Sequence, residues 1–422
     1  MPDLQNFGDW PLYALSDIAH YHNGFAFKPK DWSEDGVRII RIEQLNNPDG
    51  PYDRFTGTYP SINHIDDGDL IFSWSATLKV LIWKHGSCVL NQHLFRVDEK
   101  EGFDKQYIYY ILDYHMDSLA GSSHGSTMKH IKRGELQKYR VPIPSPNKQK
   151  KIAIILQTID RAIAHTEALI EKYHQIKAGL MHDLFTRGIG ADGKLRPTRE
   201  EAPELYQESA IGSIPREWGI KPLAELTSKI VDGVHHTPDY VDHGIPFVTV
   251  KNLTGSSSID FENLNYIDEK THRMCYSRAD PRPGDVLVTK DGTLGTCRIV
   301  REDMPEFSIF VSVALIRVTE ELTPKWLHFF FDSGSYLKQL GYLSSGTGLK
   351  HIHLEHFKKF QIALPKKNEQ QQINKRVQIV EDKLSSEKNT LSKLIAEKAG
   401  LMHDLLTGKV PVKVNPNEVD HI

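Results

Sequence analysis

The sequence predicts an α+β protein with an internal pseudo-two-fold repeat: two mixed α/β domains, each followed by a long helix, with the two helices pairing as a coiled coil. Three observations predict it. Residues 177–186 read KAGLMHDLFT and residues 398–407 read KAGLMHDLLT, so the chain repeats at an offset of 221 (398 − 177). Each of these segments ends a heptad pattern of apolar residues, and each heptad follows a stretch of short β-branched and aromatic runs broken by Gly and Pro. A repeat of this length governs the reading of everything else, because overlooking it misassigns the fold.

The repeat extends well beyond the helix ends. The same offset aligns Gly125-Ser-Thr-Met-Lys129-His130-Ile131 with Gly346-Thr-Gly-Leu-Lys350-His351-Ile352, and Pro144-x-x-Asn147-x-Gln149 with Pro365-x-x-Asn368-x-Gln370. Earlier in each copy the offset falls to 216 (Gly68-Asp69-Leu70 with Gly284-Asp285-Val286) and then 208, as differences in loop length require. Half of each copy is closely matched and half is divergent.

Taken in order, residues 1–145 and 214–364 are the divergent domains, rich in short strands. VRIIRIEQL and IPFVTVKNL read as strands, as do DLIFSW with KVLIWK and DVLVTK with SIFVSVALIRV. Each domain then has an aromatic helix, Gln106–Leu112 or Lys325–Phe331, the second opened by Thr323 and Pro324 as N-cap and first helical residue. Residues 146–186 and 365–408 are the long helices. Their seams run Ile152, Leu156, Ile159, Ile163, Thr166, Ile170, Tyr173, Lys177, Leu180, Leu184 and Ile373, Val377, Val380, Leu384, Glu387, Leu391, Leu394, Lys398, Leu401, Leu405. Steps of four and three over about five heptads point to coiled-coil pairing; two amphipathic helices packed separately on their own domains are the alternative. Residues 187–213 mix Gly, Pro and charge without periodicity and read as a linker, and 409–422 form a tail.

Composition bounds the function. With 39% hydrophobic and 25% charged residues, 29 Gly and 22 Pro in 422 residues, collagen-like, disordered and disulfide-scaffold classes are excluded. No apolar run reaches the ~18 residues of a membrane span and the N-terminus carries no leader-like pattern, so a cytoplasmic location is expected. Cys88, Cys275 and Cys297 have neither disulfide nor zinc spacing. The net charge of -3 argues against a dedicated nucleic-acid binder, yet residues 128–151 hold eight Lys or Arg against the single acid Glu135.

Catalytic signatures are weak. Gly188-Ile-Gly-Ala-Asp-Gly193-Lys194-Leu195 approaches a phosphate-binding loop, but Leu195 stands where a Ser or Thr must meet Mg²⁺ and no strand precedes it. Pro238-Asp239 with Asp268-x-Lys270 resembles a nuclease pattern by chance, and the aligned partners of His351, His353 and His356 are His130, Lys132 and Glu135, which argues against a metal site. Neither an Asn-Pro-Pro-aromatic tetrad nor a Gly-rich cofactor loop occurs, so no cofactor is expected in this chain.

The order of divergent domain, helix ending in KAGLMHDLFT, linker with Ile214-Pro215-Arg216-Glu217-Trp218, second domain and second helix resembles the specificity (S) subunit of type I restriction-modification systems. The resemblance covers essentially the whole chain. It implies two target recognition domains, each reading one half of an asymmetric bipartite sequence in double-stranded DNA, and helices that pair antiparallel as a spacer. It also implies two methyltransferase (M) subunits as partners, carrying S-adenosylmethionine, and restriction (R) subunits that use ATP and Mg in the larger complex. The alternatives are a fused restriction enzyme or methyltransferase with its own catalytic site, and a purely structural coiled-coil scaffold.

Candidate DNA-binding residues follow from the paired loops. Ser126, Thr127, Lys129 and His130, with Thr347, Lys350 and His351, offer hydroxyls, ammonium groups and imidazoles to phosphates or base edges. Equally, the glycines there would simply let the chain turn from domain to helix. Trp74 and Lys79, and Lys290, Asp291 and Thr293, follow the aligned Gly-Asp strands where a recognition loop projects.

Overall fold

The computed structural model describes residues 10–121, 131, 133–343 and 351–414. The chain divides into two units: residues 1–167 with 390–422, and residues 168–389. Each long helix therefore contributes one end to each unit, so neither mixed α/β domain closes its core from its own contiguous sequence.

The repeat is visible in the strand order. In the first unit an antiparallel sheet runs Ala19–Asn23, Leu94–Glu99, Leu70–Ser73, Lys79–Ile82. In the second it runs Thr227–Asp232, Val313–Val318, Val286–Thr289, Cys297–Ile299. Beside each lies a mixed sheet with one parallel pair, Val37–Ile40 with Cys88–Leu90 and Ile245–Val248 with Ser308–Ile309. The Gly-Asp pairs explain how the central strands begin. Gly68 and Gly284 take φ of 95° and 89°, open to glycine, while Asp69 and Asp285 accept the backbone N–H of Asp66 and Arg282 at 2.9 and 2.8 Å and close the turn. The strands that follow are apolar on both faces because both faces are buried. Leu70 and Phe72 join one core and Ile71 another, just as Val286 and Val288 are separated from Leu287.

Three strand expectations need correction. VRIIRIEQL is a strand only over Val37–Ile40; Ile42–Asn46 is a short helix, because Gln44 reaches back to the Arg41 N–H at 3.1 Å. IPFVTVKNL breaks identically, with Asn252 accepting the Thr249 N–H at 2.9 Å before the helix Val250–Thr254. SIFVSVALIRV likewise splits, Ser308–Ile309 entering one sheet and Val313–Val318 the other. The aromatic helices are Lys105–Tyr114 and Pro324–Phe331, capped by Asp104 and Thr323, with their rings in the core.

The long helices span Pro146–Thr186 and Lys367–Leu406. Ile152, Leu156, Ile159, Leu184, Ile373, Val377, Leu384 and Leu405 are buried; Ile163, Ile170, Leu180, Val380, Leu391, Leu394 and Leu401 are half-buried. The core of the first unit gathers Ile152 and Leu156 with Met402 and Leu405; that of the second gathers Leu184 with Ile373 and Val377. The lysine that interrupts each seam has a use. Lys398 meets Asp160 at 2.7 Å in the first unit, and Lys177 meets Glu381 at 2.8 Å in the second. Both partners are related by the offset of 221 (398 − 177 and 381 − 160), so the repeat reproduces the ion pair as well as the seam. Burial alone would lower the Lys177 pKa, but Asp332 and Glu381 outweigh it and raise it.

Residues 187–213, read as a linker, carry several buried side chains. Ile189, Ala202 and Tyr206 are buried, and Arg196 is only 7% exposed. They pack on the second unit without periodicity, one side chain at a time.

Candidate nucleic-acid interface

The same joint is built once in each unit. After the central strand the chain turns through Trp74-Ser-Ala76-Thr77-Leu78 in one domain and Lys290-Asp-Gly292-Thr293-Leu294 in the other. The Trp74 carbonyl accepts the Ile131 N–H at 2.9 Å, and the Lys290 carbonyl accepts the Ile352 N–H at 2.8 Å. Ile131 and Ile352, buried in the cores, anchor the segments that lead towards the long helices. Sequence regions separated by more than fifty residues thus meet at one place in each domain. Gly292 has φ 67° and Ala76, its equivalent, φ 57°. An L-residue in this left-handed region costs about 1–2 kcal/mol, against about 0.5–1 kcal/mol for glycine's extra chain entropy. Ala76→Gly is therefore expected to stabilise the first unit by roughly 0.5–1 kcal/mol, and Gly292→Ala to destabilise the second by a similar amount, read from urea midpoints.

Of the candidate contacts, Ser126, Thr127, Lys129, His130, Thr347 and Lys350 lie outside the described residues. His351 forms an isolated bridge with Asp291, and its Nδ1 contacts the Asp291 carboxylate. Its ring packs edge-on to His353 at 4.5 Å. Thr293 is exposed at the loop tip, and its carbonyl accepts the Thr289 hydroxyl. Trp74 is half-buried against His93 and Phe95. Lys79 donates to the Leu45 carbonyl at 2.6 Å, which engages its ammonium within the domain.

Lys290 departs most from the expectation of an exposed contact. Its side chain is 4% exposed and its Nζ lies 3.0 Å from Asp232, itself 3% exposed. Asp232 also accepts from Arg278 Nη2 at 2.5 Å, and His235 Nε2 lies 3.2 Å from the same oxygen. Burial on its own would raise the Asp232 carboxyl pKa; hydrogen bonds from Arg278, Lys290 and His235 outweigh it and hold the group below the usual carboxylate range. Sequence reasoning missed Asp232, Arg278 and His235. The signal available was the matched Asn23-Gly24 and Asp232-Gly233, each ending the edge strand of its sheet.

Among the described residues no group of three or more His, Cys, Asp or Glu is placed to hold a metal ion, and no helix is long and apolar enough to cross a membrane.

Comparison with known proteins agrees with this geometry. The family model described as the type I restriction modification DNA specificity domain matches residues 8–174 and 217–396, once per repeat. The chain is similar to the type I restriction enzyme EcoBI specificity subunit of Escherichia coli, 25% identical over 87% of this chain and 78% of that one. It is also similar to the MjaVIII specificity subunit of Methanocaldococcus jannaschii, 22% identical over 96% and 94%. Among solved structures, the S subunit of a type I restriction-modification system from M. genitalium shares the fold, with a TM-score of 0.60 and 14% identity over 97% of this chain and 98% of that one. A chain of a type I R-M system studied for complex assembly and conformational transition does so at a TM-score of 0.54 over 95% and 98%. With two family matches that follow its two repeats and cover most of its length, this chain belongs to the type I restriction-modification DNA specificity family.

Proposed function

We propose that this chain is the non-catalytic DNA-specificity subunit of a type I restriction-modification complex, each recognition domain reading one half of an asymmetric bipartite target. The observation that carries this reading is the duplicated joint: one backbone arrangement, used twice, carries Trp74-Ser75-Ala76 in one domain, with Trp74 half-buried, and Lys290-Asp291-Gly292 in the other, with Lys290 buried on Asp232. Two readers with a common frame and unlike side chains suit two unlike half-sites, because each base pair displays its own pattern of donors and acceptors in the major groove. The helices would pair as an antiparallel coiled coil, set the spacing between half-sites and dock two methyltransferase subunits. The repeated Lys398–Asp160 and Lys177–Glu381 pairs support that register. S-adenosylmethionine would come with the methyltransferase subunits, and ATP and Mg with restriction subunits.

Replacing residues 1–145 with the corresponding domain of a related subunit, in complex with methyltransferase subunits, should change one methylated half-site and leave the other and the gap unaltered. The incoming domain must accept Met402 and Leu405, which complete the first core. A change in both half-sites would overturn the modular reading, and methyl transfer by the purified chain without partners would favour a fused enzyme.

A further inference from the structure

We propose that Arg278, fixed by the buried Asp232–Lys290 pair, reads a guanine edge in the major groove of the half-site bound by the second domain. The inference rests on the specificity-subunit reading above and assigns one base contact within it.

Arg278 closes the helix Glu269–Arg278. Its Nε donates to the carbonyls of Asp232 and Gly233, 3.1 Å each, and its Nη2 to Asp232 Oδ1 at 2.5 Å, with His235 Nε2 3.1 Å away. Nη1 has no hydrogen-bond partner among the described residues, and the side chain is 45% exposed. The guanidinium is thus immobilised on one edge and open on the other. An arginine needed only to neutralise Asp232 would be redundant, since Lys290 already does so from inside the core at 3.0 Å. Two cations on one carboxylate leave positive charge at the surface, and the exposed member is the one held in a set orientation. Flexible lysines suffice for phosphates; a pre-oriented fork suits the N7 and O6 acceptors of guanine, where no entropy remains to be lost on binding.

The first domain keeps the frame and changes the chemistry. Gly24 and Gly233 both pass so close to the neighbouring backbone that a Cβ would lie 2.2 Å from the Asn91 carbonyl oxygen or 1.9 Å from that of Ile309. Yet Asn23 and Trp74 stand where Asp232 and Lys290 do in the second domain, so the carboxylate–ammonium pair that fixes Arg278 belongs to one reader alone. A device common to the fold would recur in both; a device for one half-site need not.

The experiment uses the full chain assembled with its methyltransferase subunits and a library of duplexes randomised over both half-sites, with methylation profiled for wild type, R278A and R278K. The expected result is a loss of about tenfold on the preferred sequence for R278A, with preference for guanine erased at one position of the second half-site and the first half-site unchanged. R278K keeps the charge without the fork and should lose the same preference; it also carries the test should R278A fail to assemble. Three results would overturn the proposal: an unchanged profile, altered preference in the first half-site, or uniform weakening across all sequences with a shallower salt dependence, which marks a phosphate contact. Because the domain exchange tests the modular reading separately, an inert Arg278 alongside a successful exchange sinks this inference alone.

Discussion

Gln370→Leu should destabilise the second unit by about 3 kcal/mol or more, although leucine nearly matches glutamine in size. Gln370 is fully buried. Its Oε1 accepts the Thr323 N–H at 2.9 Å, and its Nε2 donates to the carbonyls of Glu321 and Pro365 at 2.8 and 3.0 Å. One side chain thereby ties the start of the second long helix to the cap of the aromatic helix. Leucine would leave the Pro365 carbonyl buried without a partner and strip the part-buried Thr323 N–H and Glu321 carbonyl of theirs, a buried orphan alone costing about 1–3 kcal/mol. Gln149 repeats the arrangement, accepting from Asp104 N–H at 2.9 Å and donating to Pro144 and Gly102 at 2.9 and 3.4 Å. Its longer contact to Gly102 makes Gln149→Leu the milder change. Gln370→Glu should be worse than Gln370→Leu at neutral pH, since it aims a carboxylate at two carbonyl oxygens. Urea denaturation followed by tryptophan fluorescence measures all three; a cost under about 1 kcal/mol for Gln370→Leu would show that water takes over the amide's bonds.

These two glutamines were legible as a repeated Pro-x-x-Asn-x-Gln, because a tie needed in both copies is kept in both at the same spacing. The long helices were legible for a related reason: their pattern is local and periodic, and each predicted end lies within two residues of the observed one. The short helices Ile42–Asn46 and Val250–Thr254 were hidden, since VRIIRIEQL has strand composition throughout and only the Gln44 side chain, folding back on Arg41, ends the strand. The grouping of Asp232 and Arg278 around Lys290 was hidden for a different reason, the match of Asn23-Gly24 with Asp232-Gly233 marking only its place. Its members come from three elements spread over 58 residues (290 − 232), and nothing in a sequence distinguishes a lysine destined for burial from a solvated one until its carboxylate is known. The packing of segment 187–213 was hidden likewise, because single anchors such as Ile189 and Arg196 leave no period to detect.

Glu369→Ala should cost about 3–5 kcal/mol and free residues 187–213 from the second unit. Glu369 precedes Gln370 and faces the other way, towards this connecting segment. Its Oε1 accepts the Ile189 N–H at 2.8 Å and Arg196 Nη1 at 2.5 Å; its Oε2 accepts Arg196 Nη2 at 3.2 Å and Trp218 Nε1 at 3.1 Å. Arg196 is 7% exposed, and its other acidic partner, Glu217, is 70% exposed and therefore well screened. Removing the carboxylate leaves a buried guanidinium poorly compensated, and that cost, rather than the worth of the pair, sets the magnitude. The double variant Glu369→Ala with Arg196→Met should accordingly recover much of the loss, because it removes both charges together. The first copy has Lys148 at the corresponding position (369 − 148 = 221), so it lacks the carboxylate on which this latch is built. Limited proteolysis distinguishes a local release from global unfolding: Glu369→Ala should be cleaved within 187–213 under conditions that leave the wild type intact, and the double variant should regain resistance. Equal stability of the two variants, or protection of the segment in both, would show that Trp218 and Ile189 hold it through apolar packing and that the carboxylate is dispensable.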